Sequence, residues 1–182
     1  MKIKLKTFFL LTIAILFSFA VAEADHPISK YHKLNFDPSS KNKVGDKLVN
    51  EIEHFFREAE IALETENIDV LMDLYSENYQ NGVHDRSTVK KTWKKLFKDF
   101  DNLVTIHNMT FINVDKAQKT VIIRCTGLLM GKPNEKKGMI SLDTWNRSDH
   151  MLSKENGKWK IMGNSGKERK RLWFSRPLHP LF

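Results

Sequence analysis

Apolar residues in the first half of the chain recur every three or four positions, the period of an amphipathic helix. The first such stripe predicts a helix over residues 44–64, and its members are Leu48, Ile52, Phe55, Phe56, Ala59 and Ala62. A shorter helix follows Asn67, which can cap it, and ends by Gly82. A third begins near Asp85 or Ser87. Its apolar face carries Val89, Trp93, Leu96, Phe97 and Phe100.

Beyond Asp101 the period shortens to two, which is typical of half-buried β-strands. The alternation predicts strands over residues 103–114, 120–130 and 139–152. The last of these leads into a closing strand through a turn at Asn156-Gly157, a strong hairpin signal because both residues tolerate positive φ. Helices that precede a set of antiparallel strands predict an α+β layer fold.

The first 24 residues have the organisation of a secretory signal peptide. Three lysines precede an apolar run over residues 8–21, and small residues at 20 and 22, or at 22 and 24, form a cleavage pattern. An uncleaved membrane anchor would share the apolar run, but this run is short for a spanning helix. The sequence therefore predicts an exported protein, periplasmic or extracellular.

The rest of the chain divides into three parts. Residues 25–43 contain prolines, serines and lysines without a sustained period, which predicts a flexible leader. Residues 44–166 form the predicted domain. Residues 167–182 are a basic and aromatic tail, which either folds back over the domain or contacts a membrane surface or a partner.

Composition narrows the classes of function. The formal net charge is +8, but the lysines of the third helix lie opposite its apolar stripe, so they indicate a solvated face and no nucleic-acid partner. Cys125 is the only cysteine, so no intrachain disulfide can form. The histidines lack metal-ligand spacing and no glycine-rich phosphate loop occurs. We therefore expect neither a metal nor a cofactor.

The order of the elements and two local patterns resemble the nuclear transport factor two-like superfamily, which includes SnoaL-like polyketide cyclases and ketosteroid isomerases. The patterns are NIDVLMDLYSENYQNG before the third helix and KENGKWKIMGN at the closing hairpin. The resemblance covers residues 44–166 and implies three N-terminal helices packed on a strongly curved, mainly antiparallel sheet. The resulting cone-shaped pocket is the expected site, and a homodimer through the sheet is implied as well.

Resemblance to the ketosteroid isomerases implies one acid in this chain. Their late-strand acid matches Asp149 in place and type, whereas their tyrosine falls near Ala59, which cannot donate a hydrogen bond. Their base falls near His84, whose neighbour Asp85 could fix its tautomer. Alternatively, Asp85 caps the third helix and His84 is an exposed loop residue.

Other candidates lie on the predicted strands and in the turn before the third helix. Arg124, Asp143 and Asp149 could converge in the cone, as in related epoxide hydrolases that activate water, or could form an ion pair on the wet face. Strand parity decides between these alternatives, and one bulge would reverse it. Tyr79 and Trp145 are the aromatic residues expected to line the pocket.

These observations favour an exported, non-catalytic domain that binds a small apolar or amphipathic ligand, or a partner protein. The first alternative is a cofactor-independent isomerase, dehydratase or hydrolase, with Asp149 as acid, His84 as base and Tyr79 as orienting group. The second alternative is an interaction module that acts through residues 167–182.

The signal peptide is tested by the N-terminus of the exported protein. We expect mass spectrometry of the secreted or periplasmic fraction to find a chain that begins at Glu23 or Asp25. An intact Met1 in a membrane-free exported fraction would rule out cleavage.

Overall fold

Three of the four helices in the described residues form where the apolar spacing predicts them. The structure, a computed structural model, describes residues 31–81, 84–117 and 119–164, so the predicted signal peptide and the tail lie outside the described residues. The helices are α1 (Pro38–Val44), α2 (Asp46–Glu64), α3 (Ile68–Asp73) and α4 (Arg86–Asp99). The strands are β1 (Lys33–Phe36), β2 (Gln80–Asn81), β3 (His84–Asp85), β4 (Phe100–Asp115), β5 (Thr120–Pro133), β6 (Ile140–Glu155) and β7 (Lys158–Asn164).

Five strands form a curled sheet in the order β1-β4-β5-β6-β7. Strand β1 runs parallel to β4, and the other neighbouring strands are antiparallel. Between β6 and β7, Asn156 and Gly157 have φ angles of 49° and 84°, as their hairpin turn requires. Helices α2 and α4 pack on β4 and close a core around Ile52, Trp93 and Leu152, none of which is exposed. The predicted α+β class and mainly antiparallel sheet are confirmed.

The N-terminal part of the domain begins earlier than the sequence predicts. Residues 33–44, expected to belong largely to a flexible leader, form β1 and α1 instead. Strand β1 is held because Phe36 stacks on Phe111 of β4, with ring centroids 5.2 Å apart. Helix α1 is held because Asp37 caps it, accepting hydrogen bonds from the backbone N–H groups of Ser39 at 2.8 Å and Ser40 at 3.1 Å. The residues that make these local contacts show no long apolar period, which is why the leader prediction was wrong here.

A β-bulge in the middle of the sheet decides which side chains reach its interior. The pairing of β5 with β6 shifts register between Cys125 and Gly127, and Arg147 on β6 has a φ of 54°. The bulge places two consecutive β6 residues on the exposed side, so the alternation of inward and outward side chains reverses across it. Trp145 before the bulge is buried, and its ring lies over Gly127, where a Cβ would approach the ring to 2.6 Å.

No helix within the described ranges is long and apolar enough to cross a membrane.

Candidate functional site in the curled sheet

The inner face of the sheet carries polar residues where apolar residues would fill a core. Three of the cross-strand rows over β4, β5 and β6 on this face contain a histidine or an aspartate. The rows are Thr105–Leu129–Asp143, His107–Gly127–Trp145 and Phe111–Ile123–His150. Thr105, His107, Asp143 and His150 are all at most 7% exposed. Burial of several polar side chains is costly unless they are paired, so this face is a candidate site.

His32 enters this polar face from the residue just before β1. Its side chain is fully buried, and its Nδ1 accepts a hydrogen bond from the backbone N–H of Thr105 at 3.2 Å. The proton of the neutral ring is therefore on Nε2, which lies 3.9 Å from a carboxylate oxygen of Glu64. Burial and the nearby Arg57 guanidinium lower the pKa of His32 to about 4, so the ring is neutral near pH 7.

Glu60 lies on the buried side of α2, one turn after Phe56. Only 1% of its surface is exposed, and its Oε1 is 3.9 Å from His32 Nδ1. Its other oxygen faces Arg57 Nη1 at 3.3 Å. Burial raises the pKa of Glu60 to about 7; Glu64 adds to the rise and Arg57 opposes it. Glu60 can therefore both give and take a proton near neutral pH.

His107 lies one row deeper, enclosed by aromatic rings. Its ring centroid is 5.4 Å from that of Phe56 and 5.3 Å from that of Trp145. Its Nδ1 is 3.5 Å from Cys125 Sγ, which accepts a hydrogen bond from Trp145 Nε1 at 3.1 Å. Burial, with a smaller effect of His32, lowers the pKa of His107 to about 3. Burial raises the pKa of Cys125 to about 12, so both groups are neutral at pH 7.

A pocket of about 490 Å³ opens beside His32, at the end of the sheet where β4 begins and β5 ends. We call it the end pocket. It is lined by Tyr31, Glu64, Asn102, Leu103, Val104, Lys132, Gly138 and Met139. Its volume suits a small organic molecule. Glu64 is the residue that joins the pocket to the buried cluster, since it lines the pocket and faces His32.

The sequence-predicted residues divide between the two faces of the sheet. Asp143 and Trp145 point inward, in the rows of Thr105 and His107, but neither lines the end pocket. Tyr79 is 3% exposed and packs edge-on against Tyr75 at 5.2 Å, and burial raises the pKa of its hydroxyl. It lies just before β2, where no residue of the end pocket is found.

Arg124 and Asp149 do not reach the interior. They face each other across β5 and β6 and form a two-pronged ion pair, with N–O distances of 2.7 and 2.8 Å. Their strand neighbours Ile123 and His150 are buried on the inner face, so Arg124 and Asp149 point outward. The predicted convergence of Arg124, Asp143 and Asp149 is therefore wrong. The bulge at Arg147 is the reason, because it puts Asp143 and Asp149 on opposite faces despite their even spacing.

His84 and Asp85 also differ from the catalytic prediction. Asp85 caps α4, accepting hydrogen bonds from the Thr88 backbone N–H at 2.7 Å and the Ser87 hydroxyl at 2.8 Å. These bonds lower the pKa of Asp85 to about 2. His84 is buried on β3 and not an exposed loop residue. The carboxylate of Asp85 caps the helix, as the alternative interpretation of the sequence predicted.

Sequence reasoning did not identify His32, Glu60 or His107 as site residues. Two of them left a signal, because Glu60 interrupts the apolar stripe of α2 and His107 shares its parity with Met109 and Phe111. His32 left none, since it falls in the segment interpreted as a leader. Over the described parts of the chain, no group of three or more His, Cys, Asp or Glu side chains is arranged to hold a metal ion.

Comparison with solved structures finds the same fold in several proteins of low sequence identity. A scytalone dehydratase-like protein from Novosphingobium aromaticivorans superposes with a TM-score of 0.58 at 16% identity, covering 74% of this chain and 93% of that one. A dehydratase-like protein of the nuclear transport factor two-like family from Streptomyces avermitilis gives 0.51 at 10%, covering 66% and 96%. A type 2 hexachlorocyclohexane dehydrochlorinase gives 0.52 at 12%, covering 74% and 94%. No protein-family model and no curated protein sequence matches the chain.

The burial of Glu60 predicts a pH-dependent effect of Glu60→Gln. Folding raises the Glu60 pKa from an ordinary value near 4.5 to about 7, so its contribution to stability is largest at low pH and is lost as pH rises through 7. Glutamine is neutral at every pH. We expect Glu60→Gln to gain about 3 kcal/mol of unfolding free energy relative to wild type between pH 5 and pH 8, measured by urea denaturation.

Glu58→Gln is the matched control, because Glu58 lies on the same helix with 49% of its side chain exposed. It removes a carboxyl group from the same helix without removing a buried one. A Glu60→Gln difference that does not change with pH would mean that Glu60 is an ordinary surface-like carboxyl group.

Proposed function

Because the chain has the nuclear transport factor two-like fold, we propose that it binds a small amphipathic ligand in the end pocket and exchanges a proton with it. Glu64 is the proton acceptor, since it is the carboxyl group of the cluster that lines the pocket. His32 lies behind Glu64 and positions it, and Glu60 sets the charge of the cluster. This proposal places acid–base chemistry in the cone, on residues other than Asp149 and His84.

One observation carries this proposal. His32 Nε2 and Glu60 Oε1 are buried and make no hydrogen bond with any group of the described residues. A buried polar atom without a hydrogen bond costs roughly 1–3 kcal/mol, and apolar residues at positions 32 and 60 would avoid that cost. Groups kept at such a cost beside a pocket are candidates for function.

The charge states of His32 and Glu60 support a carboxylate base beside them. The neutral His32 ring carries its proton on Nε2, directed at Glu64, so a short approach from 3.9 Å would let it donate a hydrogen bond and orient that carboxylate. Glu60, with a pKa of about 7, can be protonated beside His32 and so avoid a second buried negative charge.

A carboxylate base beside a mostly apolar pocket supports proton abstraction from carbon, as in elimination or isomerisation. The base takes the proton, and the electron pair of the C–H bond forms a double bond as the leaving group departs. Dehydratases and dehydrochlorinases, which the similar structures are named for, both catalyse eliminations. Their likeness to this chain extends to the fold, and the reaction class is our proposal.

Two further parts of the proposal rest on the sequence and on the sheet surface. Export follows from the predicted signal peptide at residues 1–24.

A homodimer through the outer face of the sheet is supported by Ile112 and Met151, which are 45% and 41% exposed there.

The base is tested with a nitrobenzisoxazole, a small aromatic whose ring opens by one-step elimination when a base removes its C–H proton. We expect the protein to accelerate ring opening above buffer. Glu64→Gln should reduce this rate by about 10²-fold, because it removes the proton acceptor. Absorbance of the released phenolate measures the rate.

Glu66→Gln is the control, since Glu66 is exposed just beyond α2 and does not line the end pocket. It should retain the wild-type rate. Equal rates for Glu64→Gln and wild type, or no acceleration above buffer by the wild type, would contradict the proposed base.

A further inference from the structure

A second concave surface lies on the opposite side of α2 from the buried cluster. It is a groove of about 730 Å³ between helices α2 and α3 and the hairpin of β6 and β7. We call it the hairpin groove. Its floor is apolar and consists of Phe55, Val70, Leu74 and Trp159. Val70 is 44% exposed there, one of the largest exposures of an apolar side chain in the described residues.

The helical side of the hairpin groove is acidic. Glu58, Asp69 and Asp73 line it, and their side chains are 49%, 85% and 59% exposed. Asp73 is paired with lysines of the hairpin and Asp69 with Lys90 at 3.2 Å, whereas Glu58 contacts only the His54 imidazole within the same helix at 3.5 Å, among the described ion pairs. Exposed ion pairs contribute little, so these carboxylates can exchange their partners for other cations at small cost. The groove thus combines an apolar floor with an acidic edge.

A segment of the same chain has the matching composition and is close enough to reach the groove. Strand β7 starts in the groove, which Lys158, Trp159 and Lys160 line, and ends at Asn164. Asn164 lies four positions after Lys160, or about 13 Å along the strand. The eighteen residues 165–182 could span about 59 Å if extended, so they can return over that distance.

The order of residues within this segment fits the groove. Basic residues come first, at Lys167, Arg169, Lys170 and Arg171, and Trp173 and Phe174 follow at once. We propose that residues 167–182 dock in the hairpin groove of their own chain, with the basic residues along the acidic helical edge and Trp173 and Phe174 on the floor around Val70. This contact is independent of the end pocket and of its proposed chemistry.

The proposal predicts coupling between the floor and the tail, measured as melting temperatures of the full chain. Val70→Asp places a charge on the floor, and a paired Trp173→Ser, Phe174→Ser variant removes the two aromatic anchors. Each should lower the melting temperature by several degrees, because large apolar side chains lose their burial. In the combined variant, Val70→Asp should cost only about one degree more, since nothing remains for it to displace.

Two controls keep the experiment decisive. Ile112 is 45% exposed, close to the 44% of Val70, but it lies on the sheet. The effect of Ile112→Asp should therefore add fully to that of the tail variant. Asp69→Lys, at an 85% exposed position, breaks the 3.2 Å ion pair of Asp69 with Lys90, so it should lower the melting temperature in every background, and by more when the basic tail residues are present. Full additivity between Val70→Asp and the tail variant would overturn the proposal.

The tail could bind a membrane surface instead of the hairpin groove. Sedimentation of the full chain with vesicles of phosphatidylglycerol and phosphatidylcholine tests it directly. Vesicle binding that disappears in the Trp173→Ser, Phe174→Ser variant, with an unchanged melting temperature, would assign the tail to a lipid surface and overturn docking in the groove.

Discussion

Burial of the Glu60 carboxyl group is the constraint on which the interior arrangement depends. A carboxyl group 1% exposed in the apolar stripe of α2 cannot keep an ordinary pKa, so burial raises its pKa to about 7 against the lowering effect of Arg57. The neighbouring His32 is neutral as well, because a buried imidazolium without a full partner would cost several kcal/mol. The charge state of the cluster therefore follows from packing, and the packing gives it the capacity to exchange protons.

The backbone supplies the two devices that assemble this cluster. The parallel pairing of β1 with β4 brings His32 against Thr105, and without it the histidine would have no fixed place over the sheet. The bulge at Arg147 turns Asp143 and Trp145 inward and leaves Asp149 outside with Arg124. Both backbone features are local, yet each decides which side chains face the core.

Regular periodicity made most of the fold predictable from the sequence. Strong local signals predicted three features that the structure has. They are the apolar stripe of α2, the apolar face of α4 and the Asn156-Gly157 turn. The site was less predictable, because its residues depend on single events in the backbone. One extra residue at the bulge reversed the parity of Asp149, and a four-residue strand outside any period carried His32 into the core.

A carbon-13 NMR titration of the Glu60 side-chain carboxyl group tests the central claim most directly, with Glu60→Gln identifying its resonance. The account requires a midpoint near pH 7, because the protein buries this carboxyl group beside His32. A midpoint below about pH 5, within the ordinary range for glutamate, would show that the carboxyl group is solvated and that the buried acid–base cluster does not exist.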